Sequence, residues 1–251
     1  MPRRQPAYFV GHGVPELLAS PGDPTHGFLR RLAPAIRELA PRAVVFVSPA
    51  FVAQAFSVTT AADVGLARKV IEHLLYAKLK AAVDPERVGR GGTGGTLEIL
   101  FPDADVPVID LSLHASLDPE LHFAVGRAIE PLRDDGFLII GCGSLTYDVA
   151  EMEKIARDPD APDVLGERSR RFQVWVTDLI TNSAPYTRAR GLTRFRDHPD
   201  IHAVHPTGER FLPMLVVAGA ASKDMSPGNV GRQIHAGCQH GLSMAAFCFD
   251  R

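Results

Sequence analysis

The chain has 251 residues, 45% of them hydrophobic, which supplies core material for one large or two small globular domains and excludes a disordered or coiled-coil chain. Lys plus Arg number 27 against 29 Asp plus Glu, a net charge of −2 that provides no field for gripping a phosphate backbone. The small cluster Arg168, Arg170 and Arg171 does not alter that balance, so no nucleic-acid partner is expected.

In chain order, the apolar run Ala7 to Val10 predicts a buried strand that stops at Gly11-His12-Gly13 and delivers a histidine to a sheet edge. Phe28, Leu32, Ile36 and Leu39 recur at helical spacing, Pro41 breaks the pattern, and Ala43 to Ser48 predicts a second buried strand, completing a β-α-β unit. A helix over Leu66 to Ala82 follows, then the loop Gly89 to Gly95. That loop lacks the Gly-Lys-Ser/Thr ending of a phosphate-binding loop. A short helix around Thr96 to Phe101 precedes a strand over Val106 to Leu111. Pro119 opens a helix running to about Asp134, with Leu121, Val125, Ile129 and Leu132 on its apolar side; a strand Phe137 to Gly141 and a loop Cys142 to Thr146 come next. Arg168 to Ile180 and Phe211 to Ala221 predict the remaining helices, and Ser243 to Phe249 the last strand.

Strands alternating with helices, without a shift in composition, predict a single α/β domain over residues 1–251, its central twisted sheet mostly parallel or mixed and covered by helices on both faces. Ligand sites in such sheets form at strand ends, where the loops after Val10, Ser48, Leu111 and Gly141 would converge. Cys142, Cys238 and Cys248 are widely spaced and form no Cys-x-x-Cys pair, which points to a reducing, cytoplasmic compartment. No run approaches the ~20 apolar residues that span a bilayer, so no membrane partner is expected.

Six stretches in order, FVGHGVP (9–15), VVFVSP (44–49), LFPDADVPVIDLSL (100–113), GRAIEPLRDDGFLIIGCGSLT (126–146), HPTGERFLPMLVVAGAA (205–221) and GLSMAAF (241–247), carry a resemblance across nearly the whole chain. They resemble the class III extradiol ring-cleavage dioxygenases, the LigB-like group that includes the DOPA 4,5-dioxygenases. The resemblance implies that group's fold and a divalent metal held by a few His or carboxylate groups. It also implies open positions for a catechol and dioxygen, and a nearby His that moves protons. Against that inventory this chain keeps His12 but has Ala50 at the second histidine position, Tyr147 where a histidine follows the Gly-Ser loop, Arg210 in place of the histidine of the Pro-Glu-His motif, and Gly91 at a further one. One imidazole does not hold iron or zinc, and a guanidinium places a permanent positive charge where the cation would sit.

The expectation is therefore no resident metal, with Fe2+ or Zn2+ as the alternative if His205, Glu209 and His114 rebuild a site with His12. His12, Tyr147 and Cys142 are the catalytic candidates. Arg210, His205 and His114 are the candidates for holding an aromatic or anionic small molecule. Each has a structural reading beside it: His12 bonded to backbone, Tyr147 filling space, Cys142 as buried filler, His205 at a helix start capped by Thr207, and His235 and His240 at the surface or an interface. Either a non-catalytic subunit in a heteromer with an intact paralogue, or a metal-independent enzyme, in that case as a homo-oligomer, fits this set. An active metal-dependent ring-cleaving dioxygenase with relocated ligands is the rival.

Overall fold

The structure is a computed structural model that describes residues 3–11, 22–60, 63–84, 94–158, 164–226 and 228–250. Its centre is built from four apolar runs that become parallel neighbours: β1 (Ala7–Gly11), β2 (Ala43–Ala53), β5 (Val108–His114) and β6 (Phe137–Gly143). Strands buried on both faces read as continuous apolar runs, which is why AYFVG and FLIIGCG are legible in the sequence. Around them stand β3 (Phe56–Thr59), β4 (Ala81–Val83), β7 (Arg232–His235) and β10 (Ala246–Phe249), giving the order β4-β3-β5-β2-β6-β1-β10-β7. The β3–β5, β1–β10 and β10–β7 pairs are antiparallel, so the sheet is mixed, as expected. A separate two-stranded ribbon joins β8 (Cys238–Gln239) to β9 (Leu242–Ser243).

Side chains alternate across the sheet with period two, and each face has its own cover. Tyr8, Val10, Val44, Phe46, Leu138, Ile140 and Cys142 pack with Phe28, Leu29, Ala33 and Ile36 of α1 (Pro24–Glu38) and Leu100 of α3 (Gly94–Leu100). Phe9, Val45, Val47 and Ile139 face the other way. There they join a larger core with α2 (Val64–Tyr76), α4 (Pro119–Ile129), α6 (Glu167–Asn182), α7 (Pro185–Thr193) and α9 (Leu212–Ala220). All nine residues of α9 are buried, as befits a helix that is apolar all round. The short α5 (Val149–Arg157) and α8 (Ile201–Val204) complete the helices. Asp23, Asp63 and Asp118 start α1, α2 and α4, each carboxylate accepting two first-turn N–H groups.

Four expectations about elements are corrected. The helix from Leu66 stops at Tyr76 because Lys78 takes a left-handed φ of 63°, after which Ala81–Val83 pairs with β3 as an edge strand. The helix from Pro119 gives way after Ile129 to a 3-10 turn, Glu130–Arg133, where Pro131 has no N–H to continue the α pattern. The final strand is broken at Met244, whose N–H bonds Gly237. Thr207 caps nothing: α8 ends before His205, and α9 begins behind Phe211 without a side-chain cap. Residues 89–93 of the glycine-rich loop lie outside the described residues.

Candidate functional site

The parallel order β5-β2-β6-β1 sends four strand C-termini to one edge, where ligand crevices of α/β sheets form. At that edge Gly11 of β1 stands opposite Gly143 of β6. The chain then runs through Ser144 to Asp148 into α5, and this loop is sewn to a distant segment by main-chain bonds. Ser144 N–H donates to Arg210 O at 3.0 Å and Tyr147 N–H to Val204 O at 2.6 Å. Gly143 permits the approach, since a Cβ there would lie 2.3 Å from Arg210 O. Ser144 Oγ donates to Thr146 O at 2.6 Å, and Thr146 Oγ1 accepts the Ser243 N–H at 3.0 Å, so β9 is tied into the same corner.

This stitching places two predicted residues against each other. The Arg210 guanidinium carbon lies 4.0 Å from the centroid of the Tyr147 ring, a close cation–π stack between two half-buried side chains. Arg210 Nε is buried and has no hydrogen-bond partner among the described residues. A guanidinium held over an aromatic face brings a charge and forked N–H donors that suit a carboxylate or phenolate oxygen.

The other candidates fare differently. His12 lies outside the described residues, as does Gly91. Cys142 is fully buried on β6, and strand alternation turns it to the opposite face from Gly143 and therefore from Arg210. Its Sγ sits 3.6 Å from Thr96 Oγ1, and burial pushes the thiol up to about 12, so the structure places it in the core beneath the sheet edge as a protonated thiol. His205 is 5% exposed among Phe172, Phe195 and Phe211, and its Nε2–H donates to Leu145 O at 2.7 Å. Burial lowers its pKa to about 4, leaving a neutral core imidazole that braces the loop carrying Tyr147. His114 belongs to the turn before α4: Nδ1 accepts from Ser116 N–H at 3.1 Å, and its own N–H donates to Nε2 of the fully buried His122 at 3.0 Å. It lies at the end of β5 beside Ala53. His240 is exposed as expected. His235 is half-buried, with its ring stacked on Phe28 at 4.4 Å, and so packs β7 on α1.

The described residues do not by themselves assemble a cation site. Among the described residues no three His, Cys, Asp or Glu side chains converge on a point that could hold one. Ala50 is exposed on the stretch of β2 where the register with β5 breaks, and Arg210 brings a fixed positive charge. His205, Glu209 and His114 do not converge among the described residues, and His12, the fourth member of the alternative set, lies outside them.

Sequence reading missed Ser144, Thr146 and Asp148 as organisers of this corner. Asp148 starts α5 by accepting the Glu151 N–H at 3.3 Å and faces Arg168 at 3.5 Å. The signal was available, for an Asp followed three residues later by a Glu is a helix-start pattern.

Residues 54–247 match the family model described as the catalytic LigB subunit of aromatic ring-opening dioxygenase. The chain belongs to this family. Curated relatives include proteins called 4,5-DOPA dioxygenase extradiol. The one from Beta vulgaris is 26% identical over 86% of this chain and 87% of its own length, and the one from Escherichia coli K12 is 27% identical over 86% and 85%. The crystal structure of an uncharacterized Escherichia coli K12 protein superposes with a TM-score of 0.81 at 25% identity, covering 98% of this chain and all of that one. The family's layered α/β scaffold is thus retained. Among the described residues no helix is long and apolar enough to cross a membrane.

Proposed function

We propose that this family member keeps the ring-opening dioxygenase scaffold but uses Arg210, laid on Tyr147, to bind an aromatic or otherwise anionic small molecule without a resident metal. The observation that carries the reading is the 4.0 Å stack with the buried, unpartnered Nε beside it. A ligand carboxylate or phenolate meets the charge and outer N–H donors of the guanidinium, and the Tyr147 hydroxyl, both donor and acceptor, orients a second polar group. Relatives named for DOPA supply the first probe, because DOPA carries both a carboxylate and a catechol. The reading covers a metal-independent enzyme and a non-catalytic subunit that pairs with an intact paralogue. Turnover by the isolated chain selects the former, and co-purification with such a paralogue the latter.

Calorimetric titration of DOPA into the metal-analysed protein is the test. Saturable binding is expected, weakened about tenfold or more in Arg210→Ala, the loss of one charge-assisted contact of roughly 1.4 kcal/mol. Unchanged affinity in that variant rejects the role of Arg210. Stoichiometric iron or zinc together with catechol-dependent oxygen uptake would establish the metal-dependent rival instead.

A further inference from the structure

A second groove opens on the helical face of the molecule, between α6, α7 and the turn that follows α7. Its volume is about 640 Å³, within the range of small-molecule sites, and its walls include Trp175, Leu179, Tyr186, Arg190, Gly191 and His198. Trp175 is the only tryptophan of the chain. Its ring and that of His198 lie 5.1 Å apart at 47°, forming an aromatic wall, and Tyr186 stands two-thirds exposed at the rim. Leu179 forms the floor. A Cβ at Gly191 would press to 2.7 Å from the Leu179 methyls, so the glycine keeps that floor in place.

The charges in the groove are unequal. Arg194 is answered by Asp197, with Nε donating to Oδ2 at 2.7 Å. Arg190 has no ion pair or hydrogen bond among the described residues. His198 Nδ1 accepts the Asp200 N–H, and burial lowers its pKa, so it adds no charge at neutral pH. The groove therefore offers an aromatic wall of two tilted rings, an apolar floor and one unanswered guanidinium. A flat ring bearing one anionic group matches all three. The larger groove between α2 and α4, about 870 Å³, differs in that Lys69 and Arg127 are matched in its lining by Glu72 and Asp135, so it carries no excess positive charge.

We propose that the groove between α6 and α7 is a second small-molecule site that binds aromatic carboxylates of one or two rings, the ring against Trp175 and the carboxylate on Arg190. The site is separate from the Arg210–Tyr147 pair and does not depend on that reading. Trp175 itself reports occupancy.

The experiment titrates benzoate into the full chain while following Trp175 emission, with calorimetry alongside. A saturable emission change is expected with benzoate. Neutral benzamide and non-aromatic cyclohexanecarboxylate should each bind about tenfold more weakly or worse, the scale of one lost charge-assisted or stacking contact. Arg190→Ala weakens the benzoate-induced Trp175 emission change to the same degree, and Arg190→Lys restores part of the loss. Arg190 is exposed, so its variants test binding in a folded chain. The proposal is overturned by non-saturating emission, by equal affinity for benzamide, or by an emission change that keeps its affinity in Arg190→Ala. Ligand-free self-association that buries Trp175 and is abolished by Arg190→Ala would also overturn it, assigning the groove to a second copy of the chain.

Discussion

Replacing His205 with glutamine tests whether this histidine is a core element, and pH makes the test quantitative. The ring is 5% exposed, donates to Leu145 O, and has a pKa lowered by burial to about 4 against an ordinary value of about 6.5. Because the folded value is the depressed one, above about pH 6.5 both states are neutral and the native state carries no penalty. As pH falls from about 6.5 toward about 4 the unfolded chain binds a proton that the folded chain refuses, and stability drains away. Below about 4 the loss is complete, at roughly 3 kcal/mol. At about pH 4.5 some 2.5 kcal/mol, roughly, is already gone. Glutamine keeps an N–H for Leu145 but has nothing to titrate, so His205→Gln costs about 1 kcal/mol at pH 7 and regains that difference and more in acid. Urea unfolding of both proteins at neutral pH and at about pH 4.5 measures the double difference, in which the common titration of Asp134, Asp200 and the other histidines cancels. Parallel losses in the two proteins would show that His205 meets protons freely in the native state, and the reasoning about its burial would fail.

Two further outcomes follow from the same corner. Gly143→Ala places a methyl 2.3 Å from Arg210 O, forcing the Arg210 segment off the loop, and is expected to destabilise by about 1–3 kcal/mol while abolishing DOPA binding; wild-type stability and binding in that variant would contradict the approach. Cys142, fully buried with its pKa pushed up to about 12, should resist alkylation in the native protein at pH 8 while the half-buried Cys238 reacts; peptide mapping that finds native Cys142 modified would restore it as a reactive thiol.

The central strands and the amphipathic helices are legible because each residue pattern agrees with its final environment. The period-two split of Tyr8 and Val10 from Ala7 and Phe9 is the split between the two covered faces. The edges are not legible. β4 has three residues, none of them buried, and its strand state comes from pairing Ala81 with Phe56, a contact no local window contains. The helix α7 is polar around much of its circumference and forms on Pro185 at its first turn, with Leu192 and Arg188 buried against the core.

The site was legible only where parity or family likeness spoke. Strand parity alone separates Cys142 from Gly143, and applying it to FLIIGCG would have removed the thiol from consideration. The burial of His205 was hidden because Phe172 and Phe195, which enclose it together with Phe211, come from two other elements. Arg210 and Tyr147 were named by resemblance, but their stacking depends on main-chain bonds between residues far apart in sequence.

Those bonds also explain how the scaffold tolerates a changed site. Ser144 binds the carbonyl of residue 210 and Tyr147 that of Val204, while Gly143 is shaped to the same backbone oxygen of residue 210. None of these contacts involves the side chain at 210. An arginine there leaves the packing of β6 against α9 undisturbed, and Ala50 on its exposed stretch of β2 is equally uninvolved in the core. Fold and site chemistry are held by different atoms, so a guanidinium can take over the task of attracting an anionic oxygen. Its charge is fixed at every physiological pH and it has no redox states to offer. On the proposed reading, this corner of the fold serves anion recognition through side chains that its core packing does not use.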